Sequence, residues 1–221
     1  MTWNLPNILT IMRLLAAPGL ALMFLYFQRP YADWFALLLF VSASLTDWVD
    51  GYLARAWKQE TKIGAMLDPI ADKAMVIIAL MVIVGFSSMS PWLVLPATVI
   101  LFREVFVSGL REYLGDTAGT LKVTNLAKWK TTALLVAIAV LFLQGIFEHY
   151  LGQSSAGLDA QMMGEILAGD AVEQRGVRWK SAAMEWTGQA GLWLLWVAAA
   201  LTLVTGIDYL RKALPFLKEV R

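Results

Sequence analysis

Residues 47–73 read DWVDGYLARAWKQETKIGAMLDPIADK, and the periodicity of this stretch decides how the chain folds. Asp47, Asp50, Gly51 and Ala54 recur at i, i+3, i+4 and i+7, which is one face of an α-helix. Gly64, Asp68 and Asp72 recur every four residues, again one helical face. The link between them, AWKQETKI at 56–63, is polar enough to leave a membrane and short enough to bring the two faces together. Four carboxylates are therefore expected to converge where two helices adjoin. Asp68-Pro69 is expected to begin or kink the second of these helices, because proline suits a first turn.

The rest of the chain supplies the membrane. Of its 221 residues 59% are hydrophobic and only 16% charged, outside the usual range for a soluble domain. A spanning helix needs about 20 mostly apolar residues. Six such segments are present, near 8–28, 32–55, 67–86, 91–113, 128–147 and 190–210. The expected fold is all-α, a single polytopic membrane domain over 1–221 with six transmembrane helices. Trp34, Trp57, Trp92, Trp129 and Trp193 stand near the segment ends, as in interfacial aromatic belts. The turn at Arg29-Pro30 and the SSMSP turn at 87–91 are short, so the helices they join run antiparallel. The opening stretch has no basic leader and carries Arg13 inside its apolar run, so it reads as a retained helix rather than a cleaved signal.

Lys and Arg set the orientation. Arg55, Lys58 and Lys62 lie in the second-to-third connection, and Arg111, Lys122, Lys128 and Lys130 around the fourth-to-fifth. Arg211, Lys212, Lys218 and Arg221 lie in the tail, whereas the first-to-second turn has only Arg29 and the 87–91 turn has none. Both termini and the acidic cluster are then cytoplasmic, as in an integral protein of a bacterial inner membrane. The polar, net acidic segment 148–189 falls on the external side. There Leu158, Met162, Met163, Ile166 and Leu167 recur at helical spacing, consistent with a short interfacial helix.

Composition narrows the chemistry. Cysteine is absent, which removes thiolate nucleophiles, thiolate metal sites and disulfides, and His149 is the single histidine, read as interfacial. A net charge of +1 argues against nucleic acid as a partner. Each carboxylate at membrane depth costs about 2.5–3.5 kcal/mol, so four together cost about 10 kcal/mol or more before repulsion. Divalent cations would remove most of that cost, and oxygen-only ligation selects Mg²⁺, Mn²⁺ or Ca²⁺ over zinc or copper. A pair of such ions bridged by carboxylates suits phosphoryl displacement. Gly51, Ala54 and Gly64 leave room for a bulky ligand at the backbone, and Arg55 is suited to a diphosphate.

The spacing D-x₂-D-G-x₂-A-R-x₈-G-x₃-D-x₃-D in this chain resembles that of the CDP-alcohol phosphotransferases and matches every fixed position. The resemblance implies six transmembrane helices, a homodimer in the lipid bilayer, two divalent cations (Mg²⁺ or Mn²⁺), and transfer from a CDP-linked donor to an alcohol with release of CMP. Carried over by position, Asp47, Asp50 and Asp68 would bind metal, and Asp72 would be the general base while also touching a metal. Asp47, Gly51, Ala54, Arg55 and Gly64 would bind the CDP moiety. The stretches NLPNILTIMRLLAAP, TDWVDGYLAR, FREVFVSGLREYLG and KWKTTALL resemble the members that take CDP-diacylglycerol and glycerol 3-phosphate. A phosphorylated acceptor needs cations, for which Arg103, Arg111, Lys128 and Lys130 are candidates, with Thr10 and Arg13 completing the pocket from the first helix.

Two other readings compete. The same chemistry on a cardiolipin-type acceptor, inositol phosphate or serine would use the same acids. A cation transporter would spread its acids through the membrane depth, whereas these cluster at one surface beside Arg55.

Overall fold

The computed structural model of the protein describes residues 5–57, 61–115, 119, 126–172 and 175–218, with the backbone alone at 5–6, 47–57, 62, 127 and 218. The described residues form helices throughout: α1 (Leu5–Tyr26), α2 (Tyr31–Trp57), α3 (Lys62–Phe86), α4 (Pro91–Leu114), α5 (Leu126–Ser155), α6 (Ala160–Ala168) and α7 (Val177–Lys218). Asn7–Tyr26, Ile63–Phe86, Pro91–Leu114, Lys128–Ser155 and Val177–Leu217 are each long and apolar enough to cross a membrane. The apolar segment Tyr31–Thr46 is shorter, but it belongs to a 27-residue helix that reaches about 40 Å at 1.5 Å per residue. Six membrane segments in an all-α fold are thus accounted for.

Two compact units divide the chain, Met1–Ile83 with Ile138–Gly191, and Val84–Ala137 with Leu192–Arg221. In the first, α1 buries the stripe Asn7, Thr10, Arg13, Ala17 and Leu20, which recurs at helical spacing and turns from polar to apolar along its length. Leu15 and Leu25 on other faces are 67% and 74% exposed, the surface offered to lipid. α2 answers with Ala32, Ala36, Phe40 and Ala43, and α3 with Ala71, Met75 and Ala79. Small residues dominate these stripes because helices in lipid associate by close packing rather than by a hydrophobic drive.

The α1–α2 pair is antiparallel. Phe27 and Phe35 meet edge to face across the turn, and a Cβ on Gly19 would lie 3.7 Å from Leu39 Cδ2. Extending that register brings the α2 backbone at 47–51 level with Thr10. At the other end of α1, Arg29 forms two hydrogen bonds of 2.8 Å to Asp33 and donates to the Gly145 carbonyl at 3.1 Å. The Asp33 hydrogen bond raises the Arg29 pKa further, against the opposing effect of burial. Phe142 packs on both Phe24 and Phe40. Along α1, the Thr10 and Arg29 ends are separated by about 24 Å of helix between Thr10 and Tyr26.

Three boundaries differ from the sequence reading. α3 begins at Lys62, not near 67, and Pro69 lies inside it. Thr61 caps the helix: its Oγ1 accepts the Gly64 N–H at 3.0 Å and donates to Asn7 Oδ1 at 2.7 Å. The segment 148–189 is not a polar loop, since α5 continues to Ser155 and α7 begins at Val177. A helix satisfies its own backbone groups inside or outside lipid, so a change to polar composition need not end it. A short helix, α6, stands where one was expected in that segment, capped by Asp159, which accepts the Met162 N–H at 2.7 Å, and closed by Gly169 at φ 94°. Lys180 then donates to Ser154 Oγ and Arg175 to the Ala156 carbonyl, tying the start of α7 to the end of α5. Within α7, Asp208 pairs with Lys212 at 2.7 Å.

In the second unit, α4 buries Pro96, Ala97, Ile100 and Val107. α7 buries Leu195, Ala198, Ala199, Thr202 and Tyr209. A Cβ on Gly206 would come within 2.9 Å of Arg103 Cγ, so this glycine lets the arginine stem lie against α7.

Candidate active site

Two of the four acids have described side chains, and both belong to one face of α3. Asp68 Oδ1 accepts a hydrogen bond from Thr10 Oγ1 at 2.6 Å. One turn later, Asp72 Oδ1 accepts from Arg13 Nη1 at 2.7 Å. Thr10 and Arg13 are 2% and 3% exposed, whereas the Asp72 side chain is 49% exposed. The donors are therefore buried and the acceptor carboxylate is half-exposed at the surface of the chain. A guanidinium beside a carboxylate offsets much of the cost of carrying either at membrane depth.

The side chains of Asp47, Asp50, Ala54 and Arg55 lie outside the described residues, as does any statement about their contacts. Their backbone, with that of Gly51, is helical and continues α2 toward Trp57. The α1–α2 register puts Asp47 and Asp50 at the same end of α1 as Thr10 and Arg13. Among the described residues no group of three or more acids, histidines or cysteines stands together as a metal site, and the side chains of Asp47 and Asp50 lie outside those residues. The donor set fits a hard cation: carboxylate oxygens on one helical face, one of them open to water, with no cysteine in the chain.

Gly64 lies one turn before Asp68. A Cβ here would meet Asn7 Oδ1 at 2.8 Å and Thr61 Oγ1 at 3.2 Å, so close packing of α1 on the capped end of α3 requires glycine. This contact gives Gly64 a packing role beside the expected one in nucleotide binding. Sequence reasoning missed Asn7 and Thr61. A threonine directly before an apolar run is a recognisable N-cap signal, and Asn7, Thr10 and Arg13 form a polar stripe on an otherwise apolar helix.

The candidate acceptor cations on α4 and α5 belong to the second unit. Glu104 Oε1 receives both Arg103 Nη1 at 3.0 Å and Lys130 Nζ at 2.5 Å. Arg103 Nη2 also reaches Thr205 Oγ1 at 3.5 Å. Arg111 stacks over the Tyr209 ring, 5.2 Å from its centre. Lys128 is exposed at the start of α5. Arg103 and Lys130 are thus gathered on one anion, while Thr10 and Arg13, expected in the same phosphate pocket, engage Asp68 and Asp72 in the first unit. Glu104 as a shared anion was not singled out from sequence, and neither were Thr205 and Tyr209.

Comparison with known proteins shows the family of the chain. The chain is 61% identical over 222 residues to a Cereibacter sphaeroides protein named CDP-diacylglycerol–glycerol-3-phosphate 3-phosphatidyltransferase, covering 99% of both chains. It is 41% identical over 155 residues to proteins of the same name from Escherichia coli and Shigella flexneri, covering 69% of this chain and 84% of theirs. The sequence pattern of the CDP-alcohol phosphatidyltransferases matches residues 3–204, which include all four acids, the α1 donors and the α4 and α5 cations. The chain is an integral membrane enzyme of the CDP-alcohol phosphatidyltransferase family.

Proposed function

We propose that the protein transfers the phosphatidyl group of CDP-diacylglycerol to glycerol 3-phosphate, giving phosphatidylglycerol phosphate and CMP. The observation that carries this reading is the 61% identity, over nearly the whole chain, to a relative named for that reaction. Asp47, Asp50, Asp68 and Asp72 would hold two divalent cations, Mg²⁺ or Mn²⁺. When bound, the cations would neutralise the donor diphosphate and stabilise the charge that develops on CMP.

Asp72 is the general base. Its half-exposed carboxylate is open to an acceptor arriving from water. It takes the proton of the acceptor hydroxyl as that oxygen attacks the phosphorus esterified to diacylglycerol. The new P–O bond forms as the bond to the bridging oxygen breaks, and the electron pair leaves with CMP. Gly51, Ala54 and Gly64 line the cytidine pocket beside Asp47, with Arg55 on the donor diphosphate. Arg103, Arg111, Lys128 and Lys130 attract the acceptor phosphate, and their number favours a phosphorylated acceptor over serine or glycerol. The distribution of Lys and Arg supports cytoplasmic termini and a cytoplasmic active site, and the enzyme works as a homodimer in the bilayer of a bacterial inner membrane.

Purified protein supplied with CDP-diacylglycerol, Mg²⁺ and a panel of acceptors tests the proposal. CMP release is expected with glycerol 3-phosphate. Release with serine, inositol phosphate or phosphatidylglycerol, and none with glycerol 3-phosphate, overturns the acceptor assignment.

A further inference from the structure

A hydroxyl and a guanidinium on the buried face of a membrane helix are expensive unless each has a partner. On α1 both are directed to α3. Thr10 and Arg13 stand three residues apart and Asp68 and Asp72 four apart, so the two contacts form successive rungs between the helices. Thr10 Oγ1 engages one oxygen of Asp68 and Arg13 Nη1 one oxygen of Asp72, which restrains the orientation of each carboxylate. The two rungs differ in charge. Thr10 is neutral, whereas Arg13 brings a positive charge to Asp72. Both donors are dry, at 2% and 3% exposure, so water competes little for either hydrogen bond.

We infer that α1 is a brace of the active centre, with Thr10 and Arg13 as positioning residues that aim Asp68 and Asp72 rather than as ligands of the acceptor phosphate. This rests on the roles proposed above for the two aspartates. Partners that orient a metal-binding carboxylate typically change metal affinity or activity about 10- to 100-fold when removed. Thr10 acts through Asp68 on cation binding, and Arg13 acts through Asp72 on the proton-transfer step.

The test uses the full-length enzyme in detergent, with the variants Thr10→Val, Thr10→Ser and Arg13→Lys. Mn²⁺ binding is read by the loss of the free-ion electron paramagnetic resonance signal without substrates. Initial rates of CMP release are then measured against both substrates. Thr10→Val, nearly the same size as threonine, is expected to weaken Mn²⁺ binding about 10-fold or more, to lower kcat, and to leave the KM for glycerol 3-phosphate within twofold. Thr10→Ser is expected to restore all three. Arg13→Lys is expected to lower kcat with the same KM unchanged; if it does not fold, the Thr10 pair decides the matter alone. A tenfold rise in that KM with unaltered Mn²⁺ binding overturns the inference and returns both residues to the acceptor pocket. Unaltered Mn²⁺ binding and unaltered kcat in Thr10→Val also overturn it, leaving a packing contact. The Mn²⁺ titration needs no acceptor, so it still reads the brace if wild-type enzyme fails to use glycerol 3-phosphate.

Discussion

Trp196 donates its indole N–H to the backbone carbonyl of Trp92 at 3.1 Å, the carbonyl whose α-helical donor would be residue 96, a proline. The two rings also meet edge to face, 6.2 Å apart. Proline removes one rung of the α4 ladder, and a side chain from α7 replaces it. Trp196→Phe is expected to cost about 0.5–2 kcal/mol, measured as a lower melting temperature in detergent. Pro96→Ala restores the missing N–H, so Trp196→Phe in that background should cost less. Equal costs in both backgrounds would show that the tryptophan contributes ring packing alone.

Gly145 predicts a stability defect with no catalytic counterpart. A Cβ there would lie 2.7 Å from both Arg29 Nη2 and Asp33 Oδ1. Gly145→Ala must displace a charged pair whose Asp33 is fully buried, with an expected cost of about 1–3 kcal/mol. The clamp is at the end of α1 remote from the acids, so CMP release per folded molecule should stay within twofold of wild type. A large fall in specific activity at unchanged melting temperature would contradict this.

Gly64 separates packing from ligand binding. Gly64→Ala should lower the melting temperature by pressing on Asn7 Oδ1 and the Thr61 cap. Asn7→Ala in the same chain removes one of those atoms, and part of the lost stability should return. If Gly64 also lines the cytidine pocket, the raised KM for CDP-diacylglycerol persists in the double variant. Recovery of both quantities would leave Gly64 as a packing residue.

Asp72 and Asp68 are expected to fail in different ways. Asp72→Asn removes the proposed base and should cut CMP release about 10²–10⁴-fold, with Mn²⁺ binding reduced less than in Asp68→Asn. Rates near wild type in Asp72→Asn would end its assignment as the base.

Glu104 holds two cations, so its loss should be felt by both. Glu104→Gln leaves Arg103 and Lys130 without their shared anion, and breaking a buried charge pair costs about 3–5 kcal/mol. At temperatures where the variant remains folded, the KM for glycerol 3-phosphate should change several-fold while that for CDP-diacylglycerol does not. The reverse pattern would remove Arg103 and Lys130 from the acceptor pocket.

Periodicity carried the reading of this chain where periodicity was present. The repeat of Asp68 and Asp72 on one face follows from helical geometry alone, and so do the membrane segments and the short turn before Pro91. Contacts between distant segments were not legible. Nothing local in the sequence says that Thr10 and Arg13 reach acids 58 and 59 residues away, so a basic residue on α1 read naturally as a phosphate ligand. Helix ends were misjudged where composition turned polar, at the end of α5 and the start of α7, because polar residues extend a helix beyond lipid as readily as they leave it. Pro69, expected to begin or kink α3, lies inside it.

The two fastened ends of α1 give that helix a phase. Successive residues turn about 100° and rise 1.5 Å, so the azimuth at which Thr10 and Arg13 meet α3 is set by the number of residues back to Arg29. One residue inserted between Gly19 and Tyr26 would swing the polar stripe a quarter-turn away from the acids while leaving composition, hydropathy and length almost unchanged. Spacing in this part of the chain therefore sets where the polar stripe of α1 meets Asp68 and Asp72, in a way that no single substitution would expose.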